Sequence, residues 1–225
     1  MGKQMFRYST ARFNSVLMTL GVIRIGTLHD FRRIEHRTGI RDPKEGKKNI
    51  THYIDSLFIS DLNDPTYRKS IDFRALETFS AIRIDKAKAR NVTIKNIGLS
   101  RPFDHPDCFI LCTSRFCSKE TMRQFEGAES CLEIVGIEDF YRALTETLNS
   151  ITHVIFRGIH KVKYQSREEV WNGRDWGAHP ALINDPAFEA QGELRAIWQP
   201  TARTPIGPII TGNYKLGDFC RIVSL

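Results

Sequence analysis

Residues 188–198 read FEAQGELRAIW, a polar row that runs into an apolar end. Side chains on a β-strand alternate between its two faces, so Gln191, Glu193 and Arg195 would share one face, interleaved with Gly192 and Leu194. Ala196, Ile197 and Trp198 then continue the segment as buried strand. An ordinary half-buried strand turns such a polar row to solvent. The alternative is a row of polar groups lining a cleft. The stretch alone leaves both open.

The rest of the chain sets the context. It has 225 residues, 41% hydrophobic and 26% charged, which fits a folded globular protein and argues against wholesale disorder. The formal net charge is +7, a balance that favours polyanionic partners such as nucleic acid or phosphorylated cofactors. The cysteine count is five, an odd number, with no secretory leader ahead of it, so the thiols are expected reduced in a cytoplasmic protein. Cys108, Cys112 and Cys117 lack the tight C-x-x-C pairs of a structural zinc site, and CFILCTSRF reads as a buried central strand. No apolar run reaches membrane-spanning length, so no membrane partner is expected.

The remaining pattern is strands mixed with a few helices. Residues 5–9 form a short strand. Thr10 or Ser9 then caps a helix carrying Phe13, Val16, Leu17 and Leu20 on one face, and Gly21 ends it. A second strand follows at 22–28. His29–Arg37 reads as a short helix leading into a loop with Gly39, Asp42, Pro43 and Gly46. Strands are expected at 57–59, 79–84 and 92–97, at CFILCTSRF, and in the segments SCLEIVGI and ITHVIFRGIHKVKYQS. EDFYRALTETLNS is an amphipathic helix with Phe140, Leu144 and Leu148 inward. Trp171 and Trp176 lie in an irregular segment, either as loop anchors or as a lid. The order lacks a regular βαβα alternation, which predicts an α+β fold. One domain over residues 1–225, with a split or mixed antiparallel sheet, is expected. No glycine-rich phosphate loop or G-x-G-x-x-G is present.

Three short stretches then stand out in order: Arg7-Tyr8 on the first strand, Cys112-Thr113-Ser114 on the central one, and Gln191-Gly192-Glu193 near the end. Together they resemble the arginine–serine–glutamate pattern of ADP-ribosyltransferases, with Cys112 departing from the usual Ser-Thr-Ser trio. That resemblance implies an ADP-ribosyltransferase-like fold and NAD as substrate, with no metal. It makes Glu193 the carboxylate that stabilises the oxocarbenium-like centre and Gln191 the group that orients the nucleophile. Arg7, with Tyr8 beside it, would hold an NAD phosphate, and Thr113 or Ser114 would buttress the glutamate. The acceptor would be nucleic acid, favoured by the charge, or protein.

A second resemblance spans more of the chain. Phe31-Arg32-x-x-Glu35, Asp42-x-x-Glu45-Gly46 and Gln191-x-Glu193-x-Arg195 are similar to a broad bacterial family found among phage-defence and toxin-like genes. It implies that these residues share one site and a toxin or phage-defence role, for which an antitoxin or regulatory partner is a candidate; Arg32 and Glu35, neighbours on one helical face, would touch and position a phosphate. His29 is a further acid–base candidate on the same segment. Two other function classes remain. Glu35, Asp42 and Glu45 are suited to a divalent metal in a nuclease. Alternatively, DKAKARNVTIKN with Tyr67, Phe73 and Phe79 would serve a non-catalytic nucleic-acid-binding module.

Overall fold

A computed structural model of the chain describes residues 4–33, 41–61, 65–80, 90–202 and 204–225. In chain order the elements are β1 (Phe6–Ser9), α1 (Ala11–Leu20), β2 (Val22–Thr27), β3 (Lys47–Asp61), α2 (Ile71–Phe79), β4 (Arg90–Asp104), β5 (Phe109–Ser114), α3 (Lys119–Met122) and β6 (Ser130–Ile134). They continue with α4 (Ile137–Asn149), β7 (Val154–Lys161), β8 (Lys163–Tyr164), β9 (Glu168–Val170), β10 (Ile183–Asn184), β11 (Glu193–Pro200), β12 (Ile209–Gly212), α5 (Lys215–Asp218) and β13 (Cys220–Val223). The fold is mixed α and β with mainly antiparallel sheets. The contacts of the chain gather into two compact units. The larger holds Met1–Gly46, His105–Ser166 and Ala181–Leu225; the smaller holds Lys47–Asp104 and Arg167–Pro180.

The larger unit is built on an antiparallel sheet ordered β12-β2-β5-β1-β6-β13, with β11 on the other edge of β5 and β7 beyond it. β5 therefore sits in the middle, as its nearly unbroken apolar run predicts. One of its edges is divided: β2 pairs with its start through Gly26↔Ile110 and Thr27↔Phe109, and β1 meets its end through Phe6↔Ser114. One face of the sheet packs Ile23, Leu111, Leu132 and Trp198 against Leu17 of α1 and Phe140, Leu144 and Leu148 of α4. Trp198 also donates its indole N–H to Thr145 Oγ1 at 2.8 Å. The opposite face carries a smaller cluster of Leu28, Cys108, Ile110, Ala181 and Ile197.

Helix α1 begins as its sequence predicts, with Thr10 Oγ1 accepting from Phe13 N and Gly21 closing the end in a left-handed conformation. Its buried residues differ from expectation. Asn14 and Leu17 are inside, while Phe13 is 58% and Leu20 61% exposed, because Asn14 turns inward to meet Arg7 and the Ser130 carbonyl.

The smaller unit is a sheet ordered β4-β3-β9. β3 and β4 form a long antiparallel pair from Lys47↔Asp104 to Asp61↔Arg90. Sequence patterning places strands at 57–59, 79–84 and 92–97 and treats 47–53 as loop. Of the strand expected at 79–84, Phe79 instead ends the helix Ile71–Phe79, capped by Ser70. Residues 81–89, which include most of DKAKARN, lie outside the described residues. Trp171 and Trp176 pack in this unit's core with Phe79 and Phe103, as loop anchors. Phe73 is buried in the same core, and Tyr67 and Phe79 are partly buried against it. Among the described residues no helix is long and apolar enough to cross a membrane.

Candidate functional site

The polar row that begins at Glu193 is buried in the interior of the sheet. β11 lies between β5 and β7, and Glu193 and Arg195 are only 7% and 2% exposed. Alternation sends Leu194, Ala196 and Trp198 into the main core and leaves Glu193, Arg195 and Ile197 on the other face. Gln191 reaches the same place by another route. It ends the 3-10 turn Pro186–Gln191, and Gly192, at φ +54°, breaks the strand period before β11 starts. A Cβ at Gly192 would lie 2.4 Å from the Phe116 ring, so both conformation and space require glycine here.

The three strands singled out in the sequence are neighbours. Phe6 pairs with Ser114, and Ser114 pairs with Glu193. Ser114 Oγ donates to the Gln191 carbonyl at 2.6 Å and accepts from Phe116 N at 2.9 Å. It therefore secures the segment entering β11 and not the Glu193 carboxylate. Thr113 contributes to the pocket wall, with its hydroxyl 3.5 Å from the Leu194 carbonyl.

The centre of the site is a carboxylate–guanidinium–carboxylate cluster. Arg195 Nε donates to Glu193 Oε1 at 2.7 Å and Nη2 to Glu193 Oε2 at 3.2 Å. Nη1 and Nη2 reach Glu45 Oε1 and Oε2 at 2.7 and 2.9 Å, and Nη1 also donates to the Ala181 carbonyl at 2.7 Å. All five guanidinium donors are thereby used. Asn184 Nδ2 adds a bond to Glu193 Oε2 at 3.1 Å.

Glu45 is delivered by its local sequence. Asp42 opens a turn in which Glu45 N donates to the Asp42 carbonyl, Pro43 stands second, and Asp42 Oδ1 accepts from Lys44 N. Gly46, at φ +70°, then donates its N–H to Glu45 Oε1 at 3.0 Å. The D-x-x-E-G spacing is thus a turn that aims one glutamate. Arg32 braces it, donating from Nε to the Glu45 carbonyl at 2.7 Å.

The two carboxylates are driven apart electrostatically. Burial pushes Glu193 up, but the charge and hydrogen bonds of Arg195, with help from Cys112 and Asn184, outweigh it and hold Glu193 below the usual carboxylate range. Burial dominates at Glu45 and raises it, aided by the negative charges of Glu193 and Asp42. Burial likewise lifts the Cys112 thiol well above its ordinary value, with Glu193 adding to the effect, so Cys112 stays protonated.

Above the cluster is a pocket of about 80 Å³. Its walls are aromatic, formed by Phe6, Tyr8, Phe31, Phe125 and Phe188, with Tyr8 stacked on Phe125 at 5.7 Å. Arg41, Asp42, Glu45, Gln191, Glu193 and Arg195 supply its polar lining. Of the sequence candidates, Tyr8, Phe31, Asp42, Glu45, Thr113, Ser114, Gln191, Glu193 and Arg195 line this pocket. Arg7 does not: β1 turns it to the other face, where it is bonded to Asn14 and burial lowers its pKa to about 10. His29 is also elsewhere, bridging by Nε2 to the His105 carbonyl at 2.8 Å and by its backbone N–H to Asp107. Glu35 lies outside the described residues, and of the helix expected over 29–37 only the 3-10 turn Asp30–Arg32 is seen.

Sequence reasoning missed Arg41, Asn184, Phe125 and Phe188. None had a local signal beyond being polar or aromatic. Among the described residues no group of three His, Cys, Asp or Glu side chains is placed to hold a metal ion. Both Glu45 oxygens accept from Arg195, and Glu35 of the carboxylate trio expected for a nuclease lies outside the described residues. The chain matches no protein-family model, no curated protein and no solved structure.

Proposed function

We propose that the chain is an NAD-dependent ADP-ribosyltransferase of ADP-ribosyltransferase-like fold, moving ADP-ribose to a macromolecular acceptor. The observation that carries this is the register row Phe6–Ser114–Glu193, which brings the first, central and late strands together beneath one pocket. The pocket suits the nicotinamide end of NAD. About 80 Å³ holds a few water-sized groups, the scale of a single ring and not of a dinucleotide. Aromatic faces attract a cationic ring, and two carboxylates against one guanidinium leave the floor with a negative balance.

In this proposal the bond between the ribose anomeric carbon and the nicotinamide nitrogen breaks. Its electron pair neutralises the ring, and nicotinamide leaves. The acceptor nucleophile then bonds to the same carbon and loses its proton to solvent. Glu193, kept ionised by Arg195, stabilises the positive charge that develops on the ribosyl centre. Gln191 would orient the nucleophile. The arrangement gives Arg7 no part in holding phosphate; Arg41 is the cation on the pocket wall. A cytoplasmic location, a toxin or phage-defence role and an antitoxin partner belong to the same proposal and rest on resemblance in sequence.

The test is incubation with isotopically labelled NAD and cellular nucleic acid and protein. Wild-type protein should release nicotinamide and label one acceptor class, and folded Glu193→Gln should do neither. Absence of release by folded wild type would end the proposal.

A further inference from the structure

Glu193 also lines a second, wider cleft of about 300 Å³, together with Arg115, Lys161, Lys163, Tyr164 and Gln165. Three cations from two chain segments converge there: Arg115 follows β5 directly, and Lys161 and Lys163 flank the β7–β8 junction. Among the described residues none of the three is held in an ion pair. The cleft also contains Glu189 and Glu193, the latter bonded to Arg195, so three cations face two carboxylates there. At the rim Phe116 is 40% exposed, and the Arg115 guanidinium lies 4.6 Å from its ring centroid. Gly192, which links the cleft to β11, presses against that same ring. Tyr164 joins the cleft to the pocket, its hydroxyl accepting from Glu193 N at 2.6 Å.

Unpaired cations beside an exposed aromatic ring are what a single nucleic-acid strand requires, with phosphates on the cations and an unstacked base on the ring. A protein acceptor has no regular anion spacing, and a duplex keeps its bases stacked away from Phe116. We propose that this cleft is the acceptor groove and that the acceptor is a single-stranded nucleic acid, held by Arg115, Lys161 and Lys163 with a base on Phe116. The groove would deliver a nucleotide to Glu193, which lines both the cleft and the aromatic pocket. The proposal rests on the transferase reading for its purpose, but the binding itself does not need NAD.

The experiment follows that separation. A fluorescein-labelled mixed-sequence DNA strand of about 12 nucleotides, within the usual span of such grooves, is titrated by anisotropy without NAD. Three phosphate contacts predict an affinity that falls about 20-fold between ~50 and ~200 mM salt. The combined variant Arg115→Gln, Lys161→Gln, Lys163→Gln should bind at least about tenfold more weakly and lose most of the salt slope. Phe116→Ala should weaken single-strand binding while keeping the slope, and Arg142→Gln, remote from the cleft, should change neither. A triple variant that binds as wild type, or a duplex that binds more tightly than the strand, would overturn the groove. Failure to release nicotinamide would overturn the transferase and leave the binding result standing.

Discussion

Glu45 and Arg195, separated by 150 positions in sequence, meet in a two-point ion pair with Nη1–Oε1 and Nη2–Oε2 distances of 2.7 and 2.9 Å. Both side chains are nearly inaccessible, so each depends on the other. Removing one member of a buried ion pair costs about 3–5 kcal/mol, because the charge left behind has no solvent. Arg195→Gln should lose that much in urea denaturation, since it leaves Glu45 and Glu193 facing one another. Arg195→Lys keeps the charge but offers three donors where five are used, and should fall between. A loss below about 1 kcal/mol for Arg195→Gln would show that the cluster does not hold the fold.

The same cluster predicts how stability depends on pH. Glu193 is held below the ordinary carboxylate value of 4.5, so its contribution is present above the unfolded pKa and is lost as pH falls through the folded one. Glu45 is raised, so its contribution is present below 4.5 and is lost as pH rises through its folded value. Glu45→Gln cannot ionise. Its melting temperature should therefore decline less than that of wild type as pH rises from 4.5 toward neutrality. Parallel curves would contradict the assignment of Glu45 as the raised group.

Gly192→Ala places a Cβ 2.4 Å from the Phe116 ring at a φ of +54°. The strain should cost about 1–3 kcal/mol in thermal unfolding. It should also depress nicotinamide release by the folded fraction, because Gly192 sets where β11 begins and hence where Glu193 points. Unchanged release would separate the loop from the chemistry.

Arg7 offers a test of the opposite kind. It is buried against Asn14 on the face away from the pocket. Arg7→Gln should lower stability while the folded protein keeps its KM for NAD. A large rise in KM would restore Arg7 as a phosphate ligand.

Thiol chemistry supplies a check that does not depend on function. Cys117 is exposed, whereas Cys108, Cys131 and Cys220 are buried, and burial pushes each of their thiols up to about 12. Burial raises the Cys112 thiol as well. Ellman's reagent should therefore titrate Cys117 quickly in the native protein and all five cysteines in denaturant.

The sequence made the late strand and the central strand legible, because an apolar run and a period of two survive in isolation. It also brought Glu193 and Arg195 onto one face. Gln191 was put on that face for a reason that fails, since Gly192 interrupts the alternation, although the residue still reaches the pocket. Asp42 and Glu45 carry local information only about a turn. That Glu45 answers Arg195 is a long-range pairing with no sequence signature, as is the Asn184 bond to Glu193.

The smaller unit was least legible. Along β3 the inward residues are Ile50, His52 and Ile54, then Leu57 and Ile59, so the inward parity changes near Asp55. Asn96, at φ +54°, marks the same step on β4, where Ile54↔Ile97 is followed by Ser56↔Lys95. A strict period-two count across such a step finds half a strand on each side, and interspersed charge makes both look like loop.

The divided edge of β5 has a consequence for how the protein is made. β1 and β2 leave the ribosome before β5, but β11 follows it by some 80 residues, as the Thr113–Leu194 separation of 81 shows. Until β11 is synthesised, β5 presents an apolar strand with one bare side, open to pairing with any neighbouring chain. Glu45 waits through the same interval without its cation. A nascent chain cut before Glu193 would thus be adhesive and would lack the last of the three strands that meet at the pocket.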